Sequence, residues 1–412
     1  MNILLISDAF PPQIDGVCNT VINYGRYLAS HGHRVLVAAP YHPDTVDDYP
    51  FEVWRFPSFN TEKKFGYRSG FPFAPGTVDR LVAFGPDLIH AHCPIASAFL
   101  ARELRDVVHV PVILTYHTKF DLDVQRAVKM KLLQKPLIRG IVRNVSACDD
   151  VWAVNRGAGE NLKSLGFAGD YTVMPNGVDI DTLPCPAADL EALSRQYELD
   201  PAVPLFLFVG RVLWYKGLHY IIEGLAGLAA AGYAFRMAFV GNGEDLAAVK
   251  EQAGALGIAD RCLFTGAVTD RRMLKAWYTL ADLFLLPSVF DNNPLVVKEA
   301  AACGTPSVLV RASSAADGVT DRENGFLIEP SAAALTEALA WAVTHPEQVK
   351  KAGERAEKTL YVSWDESIAA AVERYQTIDR LHKEGRLLPH TRTADDGVIK
   401  AIAACYKLFS KF

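Results

Sequence analysis

A chain of 412 residues is too long for one ordinary hydrophobic core, so two domains are the starting expectation. Half of the residues are apolar and 22% are charged, which is typical of a compact globular protein. The net charge of -5 argues against a protein that binds duplex nucleic acid, because such proteins usually carry a strongly basic domain face.

The cysteines and the N-terminal residues indicate the compartment. The seven cysteines are widely spaced and never form a C-x-x-C pair, so we expect reduced thiols. Residues 1–8 lack a basic region, and Asp8 interrupts the apolar run, which favours a first buried strand over a signal peptide. No apolar run approaches the roughly 20 residues that a bilayer-spanning helix needs. We therefore expect a cytoplasmic chain, with any membrane contact peripheral.

Short apolar runs alternate with helical stretches along the whole chain, a pattern typical of parallel sheets covered by helices. In the first half the predicted strands are 3–7, 34–39, 88–90, 112–116, 151–154 and 171–174. The pattern then restarts, with predicted strands at 205–209, 236–240, 262–265, 283–287 and 307–310. The sequence therefore predicts two doubly wound Rossmann-like α/β domains.

The predicted domain boundaries follow from this restart. We assign 1–180 to the first domain, 181–204 to a linker with a short helix near 189–197, 205–365 to the second domain, and 366–412 to a final helix and tail. Because ligands of open α/β sheets bind at the carboxyl ends of the strands, we expect a cleft between the two domains.

The most informative segment is 287–306, where a predicted strand ends, a polar loop follows and a small-residue helix begins near Pro294. The N-terminus of that helix is suited to bind phosphate. Glu299 lies further along the helix and would reach another part of the same ligand. Carboxylates accept hydrogen bonds from sugar hydroxyls, so the segment indicates a phosphorylated sugar ligand.

With acidic residues eight positions apart at Asp291 and Glu299, this segment closely resembles the donor-binding motif of retaining GT-B glycosyltransferases of family 4. The resemblance implies that Glu299 binds the ribose hydroxyls and Asp291 the transferred sugar. The usual first residue is Glu, so Asp291 is one methylene shorter, and a loop or helix-capping role stays open for it. The loop residues that the resemblance places at the donor diphosphate and sugar are Asn292, Asn293, Leu295 and Val296.

Other loops extend the resemblance over nearly the whole chain, as far as a crossover helix around Trp364 and Tyr375 that returns to the first domain. Segment 209–217 resembles the family's diphosphate-binding loop, with Arg211 and Lys216 as its cations. Three glycine-bearing loops resemble further donor-binding segments, and the residues implied are Gly16, Gly243 and Val268. For the loop of Val268, an ordinary turn is nearly as good an explanation.

His117 follows a predicted strand and matches a family histidine that lies beside the donor sugar. His90 and His92 alternate on one strand, and we expect packing and hydrogen bonding for them rather than metal ligation. The predicted catalytic residues are His117, Arg211, Lys216 and Asp291.

We expect no bound metal and no cofactor. The acidic pairs 121/123 and 179/181 stand apart from the inferred phosphate site, where cations and a helix N-terminus already supply positive potential. The resemblance implies transfer of a hexosyl group, expected to come from a UDP-sugar, onto a lipid or glycan acceptor. A UDP-sugar 2-epimerase of related fold stays open as an alternative, and a non-enzymatic sugar-binding protein is less favoured. An NAD enzyme is disfavoured, because the full glycine fingerprint of such enzymes is missing.

Two basic amphipathic segments bear on the acceptor side. Residues 125–148 contain no acidic residue, and their cations are interleaved with apolar residues. The cations are Arg126, Lys129, Lys131, Lys135, Arg139 and Arg143. Contact with an anionic membrane or acceptor is a hypothesis on a par with packing on the first domain. In the tail, apolar residues at helical spacing favour packing; they are Ile399, Ile402, Tyr406 and Phe409.

Overall fold

The computed structural model describes residues 1–13, 15–61, 68–72, 74, 76–117, 120–121, 124, 128 and 130–387. The chain divides into two compact units. The N-terminal unit contains Met1–Asn176 and the chain from Trp364 onward, and the C-terminal unit is Gly177–Ser363. The predicted tail residues 399–409 lie outside the described residues.

The N-terminal unit is built on a seven-stranded parallel sheet of order β3-β2-β1-β6-β7-β8-β9. Its strands are β1 (Asn2–Ile6), β2 (Arg34–Pro40), β3 (Glu52–Phe56), β6 (Leu88–Ala91), β7 (Val112–Tyr116), β8 (Asp150–Ala153) and β9 (Thr172–Val173). A separate antiparallel pair joins β4 (Ser58–Phe59) to β5 (Ser69–Gly70).

Helices cover both faces of this sheet because successive side chains of a strand point to opposite faces. Ile3 and Leu5 of β1 lie in one buried cluster together with Tyr375, whereas Leu4 and Ile6 lie in the other. The helices are α1 (Gly16–Ser30), α2 (Thr77–Phe84), α3 (Ala96–Val108), α4 (Lys131–Ser146), α5 (Arg156–Ser164) and α13 (Trp364–Lys383). The last helix therefore completes the core of the unit in which the chain begins, as the predicted crossover requires.

The C-terminal unit has a six-stranded parallel sheet of order β12-β11-β10-β13-β14-β15 around a single buried core. Its strands are β10 (Leu205–Val209), β11 (Arg236–Val240), β12 (Cys262–Gly266), β13 (Leu283–Leu286), β14 (Ser307–Val310) and β15 (Phe326–Ile328). Its helices are α6 (Ala187–Gln196), α7 (Leu218–Ala230), α8 (Leu246–Ala255), α9 (Arg271–Leu280), α10 (Leu295–Ala302), α11 (Ala332–Thr344) and α12 (Pro346–Leu360).

The fold class is confirmed, and every predicted strand is present. Both sheets have the strand order of dinucleotide-binding folds, in which the order reverses beside the first strand of the unit. The sequence analysis missed β3 and β15 of the two parallel sheets and the short antiparallel pair β4 and β5. β15 has three residues, and β3 is half exposed, so neither carries the long apolar run that marks the central strands.

Candidate active site

Two loops meet at the centre of the C-terminal sheet. The neighbouring strands β10 and β13 end where the strand order reverses, and ligands of such sheets bind beside the loops that follow. Loop 210–217 follows β10 and loop 287–294 follows β13. These loops carry three of the predicted site residues, Arg211, Lys216 and Asp291.

Lys216 and Asp291 form an ion pair that joins the two loops. Their side chains are only 16% and 13% exposed, so the pair is shielded from water. The second carboxylate oxygen of Asp291 is buried and has no hydrogen-bond partner in the described part of the chain. Asp291 does not cap α10, because that helix begins at Leu295 and its N-cap position is Pro294. The helix-capping alternative for Asp291 is therefore wrong, whereas the predicted helix does begin beside Pro294.

Ser288, which the sequence analysis did not single out, fixes the two loops to each other. Its hydroxyl donates to the backbone oxygen of Tyr215 at 3.3 Å and accepts from the N–H groups of Phe290 and Asp291 at 3.2 and 3.3 Å. The side chain is fully buried, which strengthens these hydrogen bonds. The position of Asp291 thus depends on Ser288 as well as on Lys216.

Tyr215 brings the two predicted phosphate-binding cations to one side chain. The guanidinium of Arg211 donates to the Tyr215 hydroxyl at 3.3 Å, and the ammonium of Lys216 lies 5.6 Å from the ring centroid. Asp291 offsets the charge of Lys216, so Arg211 supplies the excess positive charge of these loops, which suits a diphosphate.

The helix α10 begins directly after the second loop. Asn292 and Asn293 precede it, and Leu295 and Val296 are its first two residues, where helical N–H groups lack partners within the helix. One turn further, Glu299 is buried, with its Oε1 accepting from Arg271 at 3.1 Å and its Oε2 accepting from the Tyr278 hydroxyl at 3.0 Å. The predicted residues of 287–299 thus lie on the loop before α10 and on the first five residues of that helix.

Burial raises the pKa of Glu299, and the charge of Arg271 together with the Tyr278 hydrogen bond acts in the opposite direction. Sequence reasoning missed both partners. Neither belongs to the 287–306 segment, and both lie on a different helix, α9.

The structure places Gly243 and Val268 on the loops that follow β11 and β12. A Cβ at Gly243 would lie 2.2 Å from the backbone oxygen of Val212, so glycine is required for the packing of this loop on loop 210–217. Val268 is half-buried against the core. The observed contact of Gly243 is therefore structural, and a donor contact of either residue stays a prediction.

The remaining predicted residues lie in the N-terminal unit. Gly16 is the first residue of α1, and no atom lies within 4 Å of the position of its missing Cβ. His117 follows β7, and burial lowers its pKa to about 3, so the imidazole is neutral at physiological pH. Its Nε2 lies 3.1 Å from Nδ1 of His92. His90 is hydrogen-bonded to Tyr375 and Thr115, in agreement with the expectation of a packed, hydrogen-bonded residue.

Comparison with known proteins decides the family. Residues 14–182 match the family described as Glycosyltransferase Family 4, and residues 189–359 match Glycosyl transferases group 1. A D-inositol 3-phosphate glycosyltransferase from Xylanimonas cellulosilytica is 30% identical over 70% of this chain and 71% of that protein. This chain belongs to the retaining GT-B glycosyltransferases of family 4.

One further relative agrees with this family 4 membership, and one solved structure shares the fold. A GDP-mannose-dependent alpha-(1-6)-phosphatidylinositol dimannoside mannosyltransferase from Mycobacterium tuberculosis is 26% identical over 90% of this chain and 94% of that protein. A sucrose-phosphate synthase from Thermosynechococcus elongatus has a similar structure, with a TM-score of 0.72, 23% identity, and coverage of 92% of this chain and 98% of that one. The chain is therefore a transferase enzyme, and the GT-B fold is confirmed.

Three carboxylates of the two acidic pairs in this family 4 enzyme contact side chains of the protein. Asp179 pairs with Arg271, Asp181 pairs with Lys275, and Asp121 accepts from Asn161 at 3.2 Å. Asp123 lies outside the described residues. In the part of the chain that the structure describes, no group of three or more His, Cys, Asp or Glu side chains is placed to hold a metal ion.

Of the basic segment 125–148, the structure describes residue 128 and residues 130–148. Arg126 and Lys129 lie outside the described residues. The first half of α4 is exposed, including Leu132 (83%), Leu133 and Leu137. Four cations of the same helix are also exposed: Lys131, Lys135, Arg139 and Arg143. Among the described helices, none combines the length and the apolar character needed to cross a membrane.

Proposed function

We propose that this family 4 enzyme transfers a hexosyl group, with retained configuration, from a nucleoside diphosphate sugar to a lipid or glycan acceptor, and that its C-terminal unit binds the donor. The observation that carries the proposal is the meeting of loops 210–217 and 287–294 at the switch point of the sheet, with the Lys216–Asp291 pair between them. A cation beside a carboxylate suits a sugar diphosphate, because the anomeric bond places phosphate oxygens and sugar hydroxyls side by side.

In this proposal the charges of the donor meet complementary groups. Arg211 and Lys216 bind the diphosphate together with the first N–H groups of α10, at Leu295 and Val296. Asp291 accepts hydrogen bonds from the transferred sugar, and Glu299 accepts them from the ribose. The remaining predicted donor contacts are those of Gly16, Gly243, Val268, Asn292 and Asn293.

The chemical step exchanges one bond for another at the anomeric carbon. The bond from this carbon to the diphosphate oxygen breaks, a bond to the acceptor oxygen forms, and the acceptor proton moves to the departing diphosphate. Arg211 and Lys216 stabilise the negative charge that develops on the diphosphate. His117 is neutral at physiological pH, so its predicted role is hydrogen bonding rather than donation of a charge.

The identity of the donor nucleotide is the first property to determine. The expectation of a UDP-sugar stays a prediction, and the similarity to an enzyme named for GDP-mannose makes GDP-mannose the second candidate. Calorimetric titration with UDP, GDP and ADP, followed by their hexosides, identifies the nucleobase and the sugar. A ligand at about 100 times its Kd also raises the free energy of unfolding by about 2.7 kcal/mol. Failure of all nucleoside diphosphates to bind would contradict the proposal.

Product analysis separates transfer from the alternative enzyme class. With the identified donor and a panel of lipid and glycan acceptors, we expect a new glycosidic bond whose anomeric configuration by NMR is that of the donor. Conversion of a UDP-sugar to its 2-epimer without consumption of an acceptor would instead establish the epimerase alternative. Binding of free sugars without a nucleotide would favour the sugar-binding protein.

We further propose that segment 125–148 contacts an anionic membrane surface or acceptor. The exposed leucines of α4 are suited to the headgroup boundary, and the exposed cations stand on the same helix. Each cation near an anionic bilayer contributes about 1 kcal/mol, so loss of two reduces the affinity by at least about 30-fold.

Liposome flotation at low salt tests this contact. The charge-reversed variant Lys131→Glu/Lys135→Glu is compared with Lys350→Glu/Lys351→Glu, which reverses two exposed lysines on α12 of the C-terminal unit. We expect the α4 variant to lose binding to vesicles of anionic lipid and the α12 variant to retain it. Equal binding by both variants, or no binding by the wild type, would refute the membrane contact.

A further inference from the structure

Arg271, the first residue of α9, connects two carboxylates in the C-terminal unit. Its Nη1 donates to Oε1 of Glu299 at 3.1 Å, and its Nη2 donates to Oδ2 of Asp179 at 3.2 Å. The Arg271 side chain is 53% exposed, whereas that of Glu299 is 9% exposed. A solvent-accessible cation therefore reaches inward to a buried carboxylate.

The same helix supplies the second contact of Glu299. Tyr278 follows Arg271 by seven residues, which is two helical turns, so both side chains lie on one face of α9. The Tyr278 hydroxyl is buried and donates to Oε2 of Glu299 at 3.0 Å. Among the residues that the structure describes, each oxygen of the Glu299 carboxylate thus has one donor, and both donors come from α9.

This arrangement fixes the charge and the free hydrogen-bonding capacity of Glu299. Burial favours the neutral acid and raises its pKa, whereas Arg271 and the Tyr278 hydrogen bond favour the carboxylate. Asp179 also raises the pKa of Glu299, and Glu299 in turn raises the pKa of Cys303, the residue that follows α10. A carboxylate has about four lone-pair sites, so two stay available when Arg271 and Tyr278 occupy one each.

We propose that Arg271 is a positioning residue of the nucleotide site, which keeps Glu299 ionised and oriented so that its two remaining lone pairs accept the 2′ and 3′ hydroxyls of a ribose. The inference rests on the proposed function, because it takes the ligand of Glu299 to be the ribose of the donor. Two vicinal hydroxyls match two acceptor sites on one carboxylate. Arg271 thereby contributes to the preference of the enzyme for ribonucleotides without contacting the diphosphate.

The neighbouring Arg272 provides a matched control. It has the same charge and lies on the same first turn of α9, but its guanidinium donates to Asp189 at 2.7 and 3.2 Å, away from Glu299. Substitution of either arginine removes one positive charge from the same helix N-terminus. A difference between the two variants therefore reports the contact with Glu299 rather than net charge or helix stability.

Calorimetric titrations of the full-length chain test the proposal. The ligands are UDP, its 2′-deoxy analogue and inorganic pyrophosphate, or the GDP equivalents if the wild type binds GDP. We expect Arg271→Gln to weaken binding of the ribonucleotide by about 10- to 100-fold, the scale of hydrogen bonds to a charged group, and to leave pyrophosphate binding unchanged. The preference for the ribonucleotide over the 2′-deoxy analogue should shrink in Arg271→Gln, and Arg272→Gln should match the wild type.

The pH dependence gives a readout that a merely structural role would not change. Without Arg271 the pKa of Glu299 rises, so nucleotide affinity in Arg271→Gln should fall with decreasing pH at a higher pH than in the wild type. Arg271→Lys retains the charge and should restore the wild-type pH profile in part.

The binding data distinguish a role of Arg271 from the donor site as a whole. Wild-type affinity and pH profile in Arg271→Gln would overturn the role of Arg271 while leaving the donor site intact. Equal loss of nucleotide and pyrophosphate binding in Arg271→Gln, with a lowered melting temperature and no rescue by Arg271→Lys, would show a purely structural contact. Absence of nucleotide binding by the wild type would refute the proposed function, and the inference with it.

Discussion

Replacing Gly217 with alanine perturbs the loop that carries Lys216 at one defined point. Gly217 has a φ of +81°, a left-handed conformation that costs an L-residue roughly 1–2 kcal/mol. In addition, a Cβ there would lie 2.1 Å from the backbone oxygen of Pro287, where loop 287–294 begins. The two loops must then separate by roughly 1 Å, and a misplacement of that size costs about 10²-fold in rate.

Gly232 is the matched control, since its φ is +84° and no atom lies within 4 Å of the position of its missing Cβ. Gly217→Ala and Gly232→Ala should both lower the free energy of unfolding by about 1 kcal/mol or more through the left-handed conformation. We expect only Gly217→Ala to lower turnover at saturating donor, by about 10²-fold, with Gly232→Ala within about twofold of the wild type. Urea unfolding and a turnover assay measure the two effects. Equal turnover of both variants would refute the idea that contact between the two loops positions Lys216.

Three further predictions follow from the site and the buried histidines. Lys216→Ala and Arg211→Ala should keep the fold and lower turnover by roughly 10²–10³, as for loss of one group that stabilises developing charge; near-normal rates in both would remove them from the diphosphate site. Activity should persist in EDTA, whereas complete loss that Mg²⁺ or Mn²⁺ restores without refolding would establish a metal requirement. Burial lowers the pKa of His90, His92 and His117 below 6.5, so they take up protons only on unfolding. The free energy of unfolding should therefore be highest above pH 6.5. Below pH 6.5 it should fall by up to about 1.4 kcal/mol per pH unit for each histidine. A urea midpoint that does not change between pH 7 and 5 would contradict the buried, neutral state of these histidines.

The central strands could be predicted from the sequence because each is buried on both faces and therefore reads as a continuous apolar run. β10, with the sequence Leu205-Phe206-Leu207-Phe208-Val209, is the clearest case. β3 and β15 lack this signal, because β3 is half exposed and β15 has only three residues. Position at the edge of a sheet does not explain the misses, since the edge strands β9 and β12 were predicted.

The candidate site was predictable where its residues form one local motif. Asp291 and Glu299 stand eight positions apart, and Arg211 and Lys216 share one loop, so a single stretch of sequence displays each set. Arg271 and Tyr278 were not predictable, because their contact with Glu299 depends on the packing of α9 against α10 across about 20 to 30 positions of sequence. Ser288 is adjacent to the motif, but a buried serine that joins two loops has no distinctive sequence pattern.

A crystal structure of the chain with its nucleoside diphosphate bound is the most direct test of the proposed donor site. We expect diphosphate oxygens at about 3 Å from Nζ of Lys216 and from the guanidinium of Arg211, with the ribose hydroxyls on Glu299 and the Arg271 contact to Glu299 retained. An ordered nucleotide that contacts neither Lys216 nor Glu299 would contradict the account.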